Sequence, residues 1–137
     1  MAVAVAATDV VGAQVRLVAD FLDGTSRNAL GGAFGVWNKD EGDLTQRCAL
    51  SFDRTQAYGG VGFCLRLDYD VDSPNPAYNG FWMQLNGVDL RRQSTLLLSL
   101  KGDPTRGYTT RLKIELKART GVGRHLLEGI GVDWQVF

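Results

Sequence analysis

Two stretches of strict alternation set what this chain can fold into. In CLRLDYDV (64–71), Leu65, Leu67, Tyr69 and Val71 fall on one side of an extended chain, and Cys64, Arg66, Asp68 and Asp70 on the other. RLKIELK (111–117) repeats the pattern, with Leu112, Ile114 and Leu116 inward and Arg111, Lys113, Glu115 and Lys117 outward. A period of two marks strands with one buried face. RCALSFD (47–53) fits the same description, and TLLLSLKG (95–102) is apolar enough for a central strand. Clusters of Gly, Pro, Asn and Asp separate these runs at 22–32, 57–62, 71–80, 86–90, 101–107 and 119–123, where turns are expected. About nine strands are expected, near 16–21, 34–38, 47–53, 62–71, 78–86, 94–101, 109–118, 123–131 and 133–137. No segment carries the 3.6-residue period of a long helix. The expected fold class is therefore all-β, an antiparallel sandwich or barrel. One domain spans 15–137, behind an N-terminal segment, 1–14, that is either flexible or an added strand.

Composition removes several functions. With 137 residues the chain can bury a real core. Fifteen basic residues balance fifteen acidic ones, so no global field draws it to nucleic acid or an anionic membrane. No apolar run has membrane-spanning length. The opening MAVAVAATDVVGAQ lacks a basic n-region, so no signal peptide is recognised. Cys48 and Cys64 have no metal-site spacing. They are either two buried thiols or a disulfide across one hairpin.

Catalytic constellations are sparse, and no enzyme is expected. The single histidine, His125, has no triad motif around it. Asp68, Asp70 and Glu115 could supply a hydrolase's carboxylate pair. Arg66, Lys113 and Lys117 alternate with them, however, and a ladder of cross-strand ion pairs explains the pattern better. Cations so placed lower a carboxyl pKa, the wrong direction for a general acid. Asp20, Asp23 and Asn28 cluster at a turn and Asp133 precedes the last strand. Asp20, Asp23 and Asp133 are thus weak calcium candidates, since calcium wants many oxygen ligands; ordinary Asx-turn chemistry accounts for them equally well. The Gly-rich stretches at 29–35 and 121–123 do not sit between a strand and a helix, so they offer no phosphate cradle.

The aromatics remain. Trp37, Trp82 and Trp134 all fall on expected strands, where packing is the default role. In AYNGFWMQLNGVDL (77–90), Phe81, Met83 and Leu85 supply an apolar face, while Trp82 shares the other with Gly80, Gln84 and Asn86. Trp82 is either covered by a second buried layer or is a platform on which a sugar stacks while neighbouring polar groups bond its hydroxyls.

The succession VADFLDGTSRNALGGAFGVW, YGGVGFCLRLDYDV, AYNGFWMQLNGVDL, LSLKGD, RLKIELK and DWQVF, spanning about residues 16–137, resembles the galactose-binding-like jelly-roll domains of bacterial carbohydrate-binding modules. The family-11-like modules and the complex I intermediate-associated protein 30 domain share the pattern. The resemblance implies two packed antiparallel sheets and a concave, oligosaccharide-binding face. Carried onto this chain, that face takes Arg66 and Asp68 from one strand, Trp82 and Gln84 from the next and Lys113 and Glu115 from a third, with Trp37 as an extra wall. It also implies a secreted or cell-envelope setting. Two departures stand out. Leu22 replaces an acidic residue of a DFEDG-like stretch, which weakens an inherited calcium site. The pattern normally continues beyond WQVF with further strands, so an unpaired edge is expected, and with it a homo-oligomer, a protein partner or an exchanged N-terminal strand. The leading expectation is a non-catalytic carbohydrate-binding module; the second is an assembly protein that holds partners through that edge.

Overall fold

The computed structural model describes residues 2–4 and 15–137, the first three through their backbone alone. The strands are β1 (Ala2–Ala4), β2 (Phe34–Asn38), β3 (Arg47–Asp53), β4 (Cys64–Asp70), β5 (Asn79–Met83), β6 (Ser99–Lys101), β7 (Arg111–Ala118), β8 (Gly121–Glu128) and β9 (Gln135–Val136). Eight of them are three residues or longer, and β9 is a two-residue pairing. Every pairing is antiparallel. The all-β expectation holds: among the described residues the one helical element is a single 3-10 turn at Tyr58–Gly60. None of the described helical segments is long and apolar enough to cross a membrane.

The strands form three small sheets, β3-β4-β1-β6-β9, β2-β5 and β7-β8. In the first, Leu50 and Phe52 of β3 stand opposite Leu67 and Leu65 of β4. This is the inward face that alternation assigns to β4. Leu65, Leu67, Leu100, Leu127 and Ile130 form the buried cluster together with Ala19 and Phe21. Phe34, Val36, Phe81 and Met83 from the β2-β5 ribbon and Leu112 and Ile114 from β7 pack against it. All three sheets thus share one core. Phe34 meets Phe52 edge-on across it, with ring centroids 6.4 Å apart.

Several expected strands are corrected. Residues 16–21 bury Ala19 and Phe21 but build no ladder. The Asp20 carboxylate accepts the Leu22 N–H at 3.2 Å, and Phe21 adopts φ 59°, so the chain turns where a strand would run on. Of 94–101 only Ser99–Lys101 pairs as β6, although Leu98 exchanges both backbone hydrogen bonds with Phe137. β5 stops at Met83, short of the expected 86, where Asn86 has φ 49°. β8 ends at Glu128, before Gly129 at φ 84°.

Of the N-terminal segment, residues 2–4 lie between β4 and β6, with Val3 paired to Leu65 on one side and Leu100 on the other. The rest of 1–14 lies outside the described residues. The thiols are free. Cys48 stands opposite Tyr69 on the core face of the β3-β4 pair, and Cys64 opposite Asp53 on the other. Two cysteines on opposite faces of a sheet cannot be bridged.

Candidate ligand-binding surface

The β2-β5 ribbon answers the question of Trp82. Its register pairs Gly35 with Trp82 and Trp37 with Gly80. Because side chains alternate, these four positions share one face, while Phe34, Val36, Phe81 and Met83 turn to the core. Trp82 is 41% exposed and Trp37 38%. Neither indole is a core side chain.

Each indole crosses onto the opposing strand. A Cβ added at Gly35 would meet three atoms of the Trp82 ring at 3.0–3.1 Å, and one at Gly80 would meet the Trp37 ring at 3.0–3.1 Å. Only a residue without a side chain lets these rings settle over the partner strand. Tyr78 extends the surface: its ring meets Trp37 edge-on at 5.7 Å and 81°, and it is itself exposed. The Lys39 ammonium sits 5.7 Å from the Tyr78 ring centre. The Lys39 N–H donates to the Tyr78 carbonyl at 2.9 Å, closing this end of the ribbon. At the other end the Gln84 N–H donates to the Ala33 carbonyl at 2.8 Å, while the Gln84 side chain is exposed.

Two loops at the Tyr78 end are tied together by one carboxylate. Asp43 accepts hydrogen bonds from the Thr45 N–H and hydroxyl at 2.9 and 2.5 Å, from the Gln46 amide at 3.0 Å, from Ser73 at 2.9 Å and from Asn75 at 3.2 Å. These donors, the Thr45 hydroxyl foremost, hold its carboxyl far below the usual carboxylate range. The latch joins the loop after β2 to the loop before β5, and so supports Tyr78.

The remaining expected ligand residues lie elsewhere. Arg66 and Asp68 are on β4, on the face turned away from Leu65 and Leu67. The β2-β5 ribbon packs against the other side, so Trp82 and Arg66 stand on opposite sides of the core. Arg66 is also already engaged. It grips Asp68 through three hydrogen bonds of 3.0–3.1 Å and lies 3.6 Å from Asp53 and 3.4 Å from Asp103. The Arg66 hydrogen bonds hold the Asp68 carboxyl below its ordinary value.

Lys113 and Glu115 belong to the separate β7-β8 ribbon. There Glu115 contacts Lys113, Lys117 and Arg124 at 3.2, 3.3 and 3.2 Å. Hydrogen bonds from Lys113, then Arg124 and Lys117, bring its pKa down to about 2. The charges pair as the alternation suggests, but along single strands on two separate sheets instead of as one cross-strand ladder. Arg66 pairs with Asp68 on β4, and Lys113 and Lys117 pair with Glu115 on β7, where Arg124 of β8 adds a cross-strand contact. The Asp68 and Glu115 carboxyls shift away from general-acid behaviour. The single concave face that would gather Arg66, Asp68, Lys113 and Glu115 beside Trp82 and Gln84 is not formed. Trp37, Trp82 and Gln84 do come together, along one ribbon.

Two of the calcium candidates are engaged in turns. Asp23 spends one oxygen on the Thr25 N–H and hydroxyl, both at 2.9 Å, and Asp20 caps Leu22. Among the described residues no three His, Cys, Asp or Glu side chains converge as a metal site; Asp20 and Asp23 act as turn residues, and Asp133 lies in the bend before β9. His125 stands opposite Ile114 on β8 and is exposed.

Tyr78, Gly35 and Gly80 are absent from the sequence-based site. The signal for the glycines is short but present: G-x-W occurs twice, as GVW (35–37) and GFW (80–82). When two such triplets pair antiparallel in this register, every Trp faces a Gly.

Together these features define an all-β protein with an exposed aromatic ribbon face. No protein-family model, curated protein or solved structure matches the chain.

Proposed function

We propose that this chain is a non-catalytic carbohydrate-binding module, a β-sandwich of galactose-binding-like jelly-roll type, whose platform is the outer face of the β2-β5 ribbon. The observation that carries this reading is the reciprocal Trp-over-Gly arrangement, which leaves two indoles open to solvent instead of packing them in the core. Exposed aromatic side chains with amides at their margin suit the two sides of a pyranose: apolar C–H groups against the rings, hydroxyls toward Gln84 and the Tyr78 hydroxyl. Affinity per site is modest, and multivalency or attachment to another domain makes such binding useful.

A glycan array probed with wild type and Trp82→Ala, with thermal melts of both, tests the proposal. Binding by wild type, lost in a variant that melts within a few degrees of it, is the expected result. Absence of binding by wild type would sink the reading.

The β7-β8 ribbon favours a second reading, assembly through an open edge. Its two strands pair with each other and with no other described strand. It also exposes Leu116, Val122 and Leu126, apolar groups that a partner chain could cover.

A further inference from the structure

The two indoles sit one step apart on the ribbon, and that step limits what they can hold. Gly35 and Trp37 are two positions apart on β2, as are Gly80 and Trp82 on β5. At ~3.4 Å per residue, the levels of the two rings differ by about 7 Å along the strands. That distance is on the scale of one sugar unit in an extended polysaccharide. Nothing rises between the rings, because the positions facing them are glycines. The four positions of this face carry no charge. The nearest cation in the strand continuation, Lys39, lies against the Tyr78 ring at the far end.

A single indole in a pocket selects a chain terminus or a monosaccharide. Two indoles in line on an open ribbon select the middle of a chain. An uncharged face gives no reward to a uronate or a sulfate ester, which would give up hydration there without gaining a partner.

Building on the carbohydrate-binding reading, we propose that the β2-β5 ribbon holds a neutral, linear polysaccharide lying along the strands, with successive pyranose rings on Trp82 and Trp37. Gly35 and Gly80 are the positioning residues: they set the height and spacing of the indoles and so determine the chain length recognised.

Isothermal titration of the whole chain with neutral β-linked and α-linked gluco- and manno-oligosaccharides, from one to six sugars, tests this. Carboxylated and sulfated oligosaccharides of matched length serve as comparison. For at least one neutral series the association constant is expected to rise tenfold or more from one sugar to three or four, then level off. Trp37→Ala and Trp82→Ala are each expected to flatten that rise, since one ring remains. Gly35→Ala and Gly80→Ala, which push a Cβ against a ring, should also flatten it while the melting temperature stays close to wild type. The alanine variants at the tryptophans carry the test if a glycine variant fails to fold.

Equal affinity for one sugar and for six would overturn the proposal while leaving the carbohydrate reading intact. A preference for the charged oligosaccharides would do the same. Failure of every glycan would remove both; a concentration-dependent dimer dissolved by Trp82→Ala would then assign the face to a second copy of this chain.

Discussion

A tryptophan ring on a two-stranded ribbon must lie over something, and the residue opposite decides whether it can. At Gly35 and Gly80 the answer is bare backbone, and both indoles accept it. Arg66 shows the contrasting case, a polar side chain absorbed by its own neighbours. Its guanidinium lies within 3.0–3.6 Å of Asp53, Asp68 and Asp103. Arg66→Met would leave three carboxylates facing one another, and about 1–2 kcal/mol of stability should go with the lost charged hydrogen bonds, after allowing for their partial exposure. The sign with pH follows from Asp68, whose carboxyl the Arg66 hydrogen bonds lower in the folded chain, whereas Asp53 and Asp103 are lowered chiefly by Thr55 and Thr105, which the variant keeps. The Asp68 contribution is present above the ordinary carboxylate pKa of 3.8 and fades as pH falls through the lower folded value. Thermal melts should therefore separate wild type from Arg66→Met at pH 7 and bring them together in strong acid. A gap that persists unchanged at low pH would mean the loss is one of packing. The alternation in CLRLDYDV reveals that Arg66 and Asp68 share a face; it cannot reveal that they are consumed by each other. That depends on Asp53 and Asp103, which reach them from other segments.

Where a strand was legible, its own residues decided it; where it was not, a neighbour or a turn did. Arg47–Asp53 and Phe34–Asn38 begin and end where the sequence places them, because alternation and flanking turn residues agree. Residues 16–21 carry strand-like composition, but the Asp20 side chain captures a backbone N–H and diverts the chain. No hydrophobic pattern reports that competition. The β7-β8 ribbon is legible in the opposite sense, since each of its strands pairs with its neighbour in sequence. Its outer face centres on Glu115, held by three cations at 3.2–3.3 Å. Glu115→Gln should lower the melting temperature slightly and leave Lys113, Lys117 and Arg124 repelling one another. Added salt screens that repulsion, so the gap between variant and wild type should narrow between low and high ionic strength. In wild type the Glu115 contribution stands above its ordinary pKa of 4.5 and is lost as pH falls toward about 2. Melts across pH 2–6 in low salt should show that loss in wild type and not in Glu115→Gln. Matching pH profiles would mean the Glu115 ion pairs contribute nothing.

At the scale of the whole molecule, three small sheets hold together because they share one core, and the largest depends on a segment far away in sequence. The order β3-β4-β1-β6-β9 makes β1 the link between the β3-β4 hairpin and the C-terminal strands. Ala2–Ala4 pairs on both sides, with Val3 opposite Leu65 and Leu100, two of the most buried of the described residues. Long-range pairing of this kind leaves no local trace, so a sequence reading can offer the N-terminal segment only as flexible or strand-forming. Proline in such a doubly paired strand removes a ladder hydrogen bond and clashes with its neighbours. Val3→Pro should therefore lower the melting temperature by several degrees or more. The same substitution uncovers the facing edges of β4 and β6, and exposed edges recruit strands from other chains. Light scattering should accordingly detect oligomers of Val3→Pro that grow with concentration, at temperatures where wild type keeps its own state. The Trp ribbon lies on a different sheet, so glycan binding by the monomeric fraction should survive. A variant that melts like wild type and does not associate would show that the β4-β6 slot does not depend on β1. A variant that associates and also loses glycan binding would tie the ribbon to the integrity of the largest sheet, through the core they share.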